Sequence, residues 1–230
     1  MKTRKDLILK TVPIETDSYS PVPNKIIFDT VDEQLYKRGL VISNENFITD
    51  RALNKVIGCF DIKHPDSSEI GMRLAFRNSY DKSMTAAFVA GNNVWVCQNG
   101  CISGEMKFVR KHTGNVLNEL KEAVVNSIER LEERFAKIIY QSEKMKSIEV
   151  SPIEASELYG KLFFYDKVIT LTQLGIIQRE LENSTFKDFN NNSLWSIYNH
   201  GTFALKESHP LDYIDSHIKY HTIFEKTYNL

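Results

Sequence analysis

The 230-residue chain is 42% apolar, 11% aromatic and 26% charged, enough for a buried core and too apolar for a disordered chain. Its 29 basic and 30 acidic residues leave a formal charge of -1. That balance excludes a generally basic, histone-like nucleic-acid binder and an acidic polyanion mimic, but it leaves room for a local basic face.

The length suits one domain or two small ones. The basic start MKTRKDLILKTV is interrupted by Lys10, so no signal peptide is expected. No run reaches the roughly 20 apolar residues needed to span a membrane. Cys59, Cys97 and Cys101 form an odd set without a CxxC spacing, which suits a reducing compartment. Cys97 and Cys101 with His112 resemble an incomplete zinc site, but without a fourth ligand they read as buried thiols. No metal or cofactor is expected.

In chain order, residues 1–28 are expected to be extended, because Pro13, Pro21 and Pro23 break helix and restrict their predecessors. Asp29 or Thr30 then caps a short helix through Arg38, with Gly39 as its stop. Residues 40–110 read as strands: a short one at 40–42 and another within 47–62. A period-two segment follows, with Ile70, Met72, Leu74 and Phe76 on one face and Arg73 and Arg77 on the other. Two further strands, 84–90 and 93–98, flank a turn at Gly91 and Asn92. Residues 113–146 change to a three- and four-residue period, predicting one helix of about 30 residues lying across the sheet or projecting into an oligomer contact. Residues 147–230 read as mainly helical, with starts at Ser151, Thr170 and Ser193, and a less periodic stretch from His209 that docks back on the body. The expected fold is α+β: an antiparallel sheet meander packed by a long helix, then a mainly helical C-terminal part. The divisions are 1–28, 29–146 and 147–230.

Chemical motifs are sparse. Gly100 and Gly104 make neither a P-loop nor a dinucleotide fingerprint, and HExxH and GxSxG are absent. Ser79, Asp81, Cys97 and His112 are the residues from which a nucleophile site would have to be assembled. The charge is uneven along the chain. Residues 71–112 hold six basic residues (Arg73, Arg77, Lys82, Lys107, Arg110 and Lys111) against Asp81 and Glu105, whereas residues 131–230 hold 11 basic and 14 acidic. A basic strand face beside Tyr80 and Trp95 suits a nucleic-acid backbone with a stacked base. The competing reading is a solvated sheet face over core aromatics. His112 follows two cations and reads as a loop-bracing imidazole. Asn78, Asn99 and Gly100 read as turn residues, and Cys97 as core.

The combination of Asn78, Ser79, Tyr80 and Asp81, then Cys97, Gln98, Asn99 and Gly100, then Lys111, His112 and Thr113, resembles the DUF932 family of phage- and plasmid-encoded proteins. Asn192, Ser193, Leu194, Trp195, Ser196, Ile197, Tyr198 and Asn199 are similar to that family's Trp-containing element, with Ser193 where threonine is common. These elements cover roughly residues 30–215. The resemblance implies a mobile-element protein working on or near DNA and supplies no catalytic mechanism. The order of helix, antiparallel strands and long helix also looks like the core of Rad52-type single-strand annealing proteins, which form rings; the net charge of -1 departs from their basic character.

The leading expectation is a phage or plasmid single-stranded DNA-binding or annealing accessory protein acting in the host cytoplasm. Arg73, Arg77, Lys107, Arg110 and Lys111 would hold phosphates, and Tyr80 or Trp95 would stack a base. Asn78, Asp81, Cys97, Asn99, Gly100 and His112 would shape the site. The alternative is a structural or protein-interaction module, virion-associated or antagonising host defence, a homo-oligomer or partner of another phage or host protein. Its contact would be made by Trp195, Tyr198, Phe203 and Tyr213. An enzyme, the third reading, requires Cys97, His112 and an acidic residue to converge in one cleft.

Overall fold

The computed structural model describes residues 3–63, 70–94, 99–101, 107–209 and 212–230. The chain divides into two units: residues 1–91 with 105–133, and residues 92–104 with 134–230. The first holds antiparallel strands packed with helices, and the second is mainly helical.

The N-terminal segment is not extended throughout. Thr3 and Asp6 form a capping box, in which the Asp6 carboxylate accepts from the Thr3 N–H at 2.8 Å, and this starts α1 (Arg4–Leu9). A reciprocal cap satisfies two amides that an uncapped turn would leave open. The proline-marked stretch that follows does lack helix. It ends at Pro23, which stands at the N-cap of α2 (Asn24–Tyr36), well ahead of the expected cap at Asp29 or Thr30. Pro23 offers α2 no side-chain cap. The Tyr80 hydroxyl substitutes, accepting from the Asn24 N–H at 3.0 Å. Gly39, at φ +66°, ends the turn beyond α2 as expected.

The strands are β1 (Ile42–Thr49), β2 (Lys55–Ile62), β3 (Ile70–Ser79), β4 (Ala86–Val94), β5 (Asn99–Cys101) and β6 (Lys107–Arg110). In the first unit β1, β2 and β3 run antiparallel in sequence order, and residues 86–89 of β4 pair with β6. In the second, residues 92–94 of β4 pair with β5. Gly91 and Asn92 therefore lie inside a strand, and Asn99 and Gly100 form β5 instead of a turn. The expected single strand within 47–62 is divided by a turn in which Leu53 takes φ +59°.

The first unit's core is aromatic. Phe47 and Phe76 both face Gly58 across the β1–β2 and β2–β3 registers. A Cβ at Gly58 would come within 2.2 Å of the Phe76 ring, so only glycine leaves room for it. Phe60 stacks on Phe76 with centroids 5.6 Å apart, and Phe28 from α2 meets both edge-on. Arg4 of α1 lies over Phe28 and Phe60, 5.0 and 5.5 Å from their centroids, while its guanidinium pairs with Asp32 and Glu45. The cation covers apolar rings and keeps carboxylate partners.

The periodic stretch 113–146 forms two helices, α3 (Val116–Glu129) and α4 (Leu131–Lys146), interrupted at Arg130. Val116, Leu120, Val124 and Ile128 form the buried stripe of α3. In the second unit, capping boxes at Ser151 and Thr170 start α5 (Pro152–Phe164) and α6 (Leu171–Glu182). Ser193 caps α7 (Leu194–Ala204). The stretch from His209, read as less periodic within this mainly helical part, contains α8 (Tyr213–Tyr228), whose buried face is Ile214, His217, Tyr220, His221 and Phe224. Counting its histidines and tyrosines as polar hides the three- and four-residue period.

Candidate nucleic-acid interface

The turn after β3 is built by its own side chains. Ser79 Oγ donates to the Met84 carbonyl at 2.9 Å and accepts from the Met84 N–H at 3.1 Å. Asp81 accepts from the Ser83 N–H at 3.0 Å and lies 3.5 Å from the Lys55 ammonium. Burial opposes the charge on Asp81, but the Ser83 hydrogen bonds and Lys55 together outweigh it and hold its pKa below the usual carboxylate range. Lys82 adopts φ +65°, and its ammonium sits 4.6 Å from the centre of the Tyr19 ring.

Beneath this turn lies a buried polar cluster. Asn78 donates to the Val22 carbonyl and to Asn24 Oδ1, each at 2.7 Å. Tyr80 caps α2 through its hydroxyl, and its carbonyl accepts from Tyr19 at 3.2 Å. The His112 carbonyl accepts from the Ser20 N–H at 2.8 Å, and the His112 ring lies 5.9 Å from that of Tyr19. Burial pushes the His112 pKa below its ordinary value, while the Ser20 and Met84 backbones favour the protonated ring without making a well-formed hydrogen bond to either nitrogen. The structure thus brings Asn78, Tyr80 and His112 together through residues 19–24, while Ser79 holds the turn at Met84.

Several expected contacts are corrected by burial. Arg73 is only 8% exposed. Its guanidinium makes two hydrogen bonds to Asp61, at 2.6 and 3.0 Å, from the facing register position on β2. The face carrying Arg73 is therefore packed, and this arginine does not present itself to phosphate. Tyr80 is 7% exposed with its hydroxyl engaged, so it offers no stacking platform. Arg77 is half-buried and donates to Thr85 Oγ1 at 2.7 Å. Arg110 is exposed and pairs with Glu119 of α3 at 2.9 Å, while Lys111 is exposed beside His112. Lys107 belongs to the β6 backbone. Trp95 and Cys97 lie outside the described residues, as does the convergence of Cys97 with His112.

In the second unit the polar groups that the sequence reading missed are buried among helices. Tyr159 donates to the Ile197 carbonyl, Tyr220 donates to the Tyr198 carbonyl at 3.1 Å, and Tyr198 is 3.0 Å from His221 Nδ1. His221 lies 3.7 Å from Glu225, which also accepts from Gln141 at 2.8 Å and pairs with Lys137 at 3.1 Å. His221 first, then Lys137 and Gln141, overcome burial to lower the Glu225 pKa to about 2. Trp195 stacks on Tyr198 at 5.8 Å, and His200 faces Glu180 at 3.8 Å. The spacing of His217, Tyr220, His221 and Phe224 along one helix face was the sequence signal for this cluster. Trp195 and Tyr198 are 3% and 1% exposed, so they build the core and not the protein contact assigned to them. Among the described residues no group of three or more His, Cys, Asp or Glu side chains is arranged to hold a metal ion, and no helix is long and apolar enough to cross a membrane.

Fold and site together define an α+β protein whose sheet end is braced by an Asn–Tyr–His cluster under a cation-bearing turn. The chain belongs to the DUF932 family, described as a domain of unknown function, whose model matches residues 14–202. No curated protein and no solved structure matches the chain significantly.

Proposed function

We propose that the chain is a mobile-element accessory protein that holds single-stranded DNA by its phosphates. The observation carrying this reading is the placement of exposed cations at the braced end of the first unit. Lys82 lies over Tyr19, and Lys111 precedes the His112 that abuts the same ring, while the neighbouring Arg110 is engaged with Glu119. Such cations attract a polyanion without reading its sequence. With Arg73 and Tyr80 buried, the contact rests on few phosphates and on no stacked base at those positions. Binding is therefore weak, salt-sensitive and indifferent to base composition. Fluorescence anisotropy of a labelled single strand at two salt concentrations tests this; the absence of binding at low salt overturns it.

A protein-interaction role is the second reading. An apolar cleft of about 510 Å³ between α5 and α6 favours it, at a place other than the aromatic residues first assigned to that role.

A further inference from the structure

The α5–α6 cleft has a built floor and an unfilled centre. Ala155, Leu174, Ile177 and Ile197 line it, Leu181 stands 38% exposed at its mouth, and Tyr159 is fixed below by its bond to the Ile197 carbonyl. Gly160 also lines it, and a Cβ there would meet nothing within 4 Å. A glycine inside a helix is less favourable than alanine, so open space is kept where a better helix former would fit. The rim is acidic. Glu182 borders the cleft, and the adjoining hollow, which shares Val150, carries Glu149, Glu154 and Glu157 against a single cation, Lys161. Hydrogen bonds from Ser151 hold Glu154 below the usual carboxylate range, which keeps it ionised.

The complement lies on the chain itself. Past the buried Leu7 of α1, Leu9 is 72% exposed and Ile14 is 87% exposed, with Val12 between them also exposed. Lys5 and Lys10 accompany these side chains and form no ion pair among the described residues. The chain leaves α1 extended at Lys10, φ -64° and ψ 126°. An extended backbone sets Val12 and Ile14 on one side, a narrow apolar edge with Lys5 and Lys10 on its N-terminal side and Glu15 following Ile14. Apolar side chains entering a pocket, with opposite charges at the rim, make the usual anatomy of a peptide-binding groove.

We propose that the α5–α6 cleft receives residues 9–14 of a second copy of this chain, joining copies head to tail. Segment and cleft are different surfaces, so each copy keeps one of each free for another neighbour, and association proceeds to rings or open chains beyond a dimer. This inference uses none of the cations of the proposed DNA contact and stands independently of it.

The test uses the full chain. Multi-angle light scattering of the wild type across a concentration series reads a mass that climbs past two copies. Leu9→Asp/Ile14→Asp removes the segment's apolar edge, and Gly160→Leu fills the cleft; each is expected to be monomeric. An equimolar mixture of the two variants restores one productive contact and gives a 1:1 heterodimer that grows no further. Leu181→Glu, at an exposed position, is a second cleft variant should Gly160→Leu fold poorly. A wild type that stays monomeric, variants that associate as it does, or a mixture that stays monomeric each overturns the proposal. The first outcome is also the one expected if the cleft serves a different protein.

Discussion

Asp61 and Arg73 face each other across the β2–β3 register, and the guanidinium covers both carboxylate oxygens at 2.6 and 3.0 Å with side chains 4% and 9% exposed. Asn44 also donates to this carboxylate, at 3.1 Å. Removing one partner strands a charge in the interior. Arg73→Ala is expected to cost about 3–5 kcal/mol in a denaturant melt, while DNA affinity per folded molecule stays unchanged.

Gly201 and Tyr220 make a second dependence. A Cβ at Gly201 would sit 1.9 Å from the Tyr220 hydroxyl, which donates to the Tyr198 carbonyl. Gly201→Ala must displace a fully buried tyrosine, and a thermal melt is expected to show a loss of about 1–3 kcal/mol. Gly201→Ala/Tyr220→Phe should recover little of that loss, since two carbons of the Tyr220 ring, 2.3 and 2.7 Å from that Cβ, clash without the oxygen as well.

Tyr80→Phe deletes the acceptor that caps α2 and leaves the buried Asn24 N–H without it. The expected cost is about 1–3 kcal/mol, read as a lowered denaturation midpoint. A structural tyrosine predicts no change in the salt dependence of DNA binding. A stacking tyrosine would change affinity and leave stability nearly alone.

His112 and His200 are both held below the ordinary value of 6.5, in each case chiefly by burial. The unfolded chain then binds protons more readily than the folded one, so their contribution is full above about pH 6.5 and lost as pH falls through the lowered folded values. Stability is expected to decline on acidification below about pH 6.5. His112→Phe should lessen that decline, because the ring makes no well-formed hydrogen bond to lose. An unchanged pH profile in that variant would contradict the assignment.

The sequence disclosed elements whose punctuation is local. Ser151, Thr170 and Ser193 each cap a helix where expected, because a hydroxyl before an apolar run reports on its own turn. It misled where the deciding partner is distant in sequence. Period two placed Arg73 opposite Leu74 correctly, but only the β2 register shows that its face meets Asp61 and not water. Tyr80 looked like a free aromatic because its partners, Asn24 and Tyr19, belong to a segment read as extended. In α8 the buried positions are filled by histidine and tyrosine, whose hydrogen bonds to α7 are invisible in a hydrophobic pattern. The resemblance motif around Asn78 and His112 did mark residues that converge, although their shared role is to brace the start of α2 and the 79–84 turn.

The proposed DNA contact rests on the exposed cations Lys82 and Lys111, and not on Arg73 or Tyr80. The most direct measurement is the salt dependence of single-strand binding by anisotropy for the wild type and for Lys82→Ala/Lys111→Ala. Each lost phosphate contact lowers the slope of log affinity against log salt by about 0.7 for a single strand, so the double variant is expected to bind more weakly with a slope about 1.4 smaller. Equal affinity and equal slope for the two proteins would contradict the account.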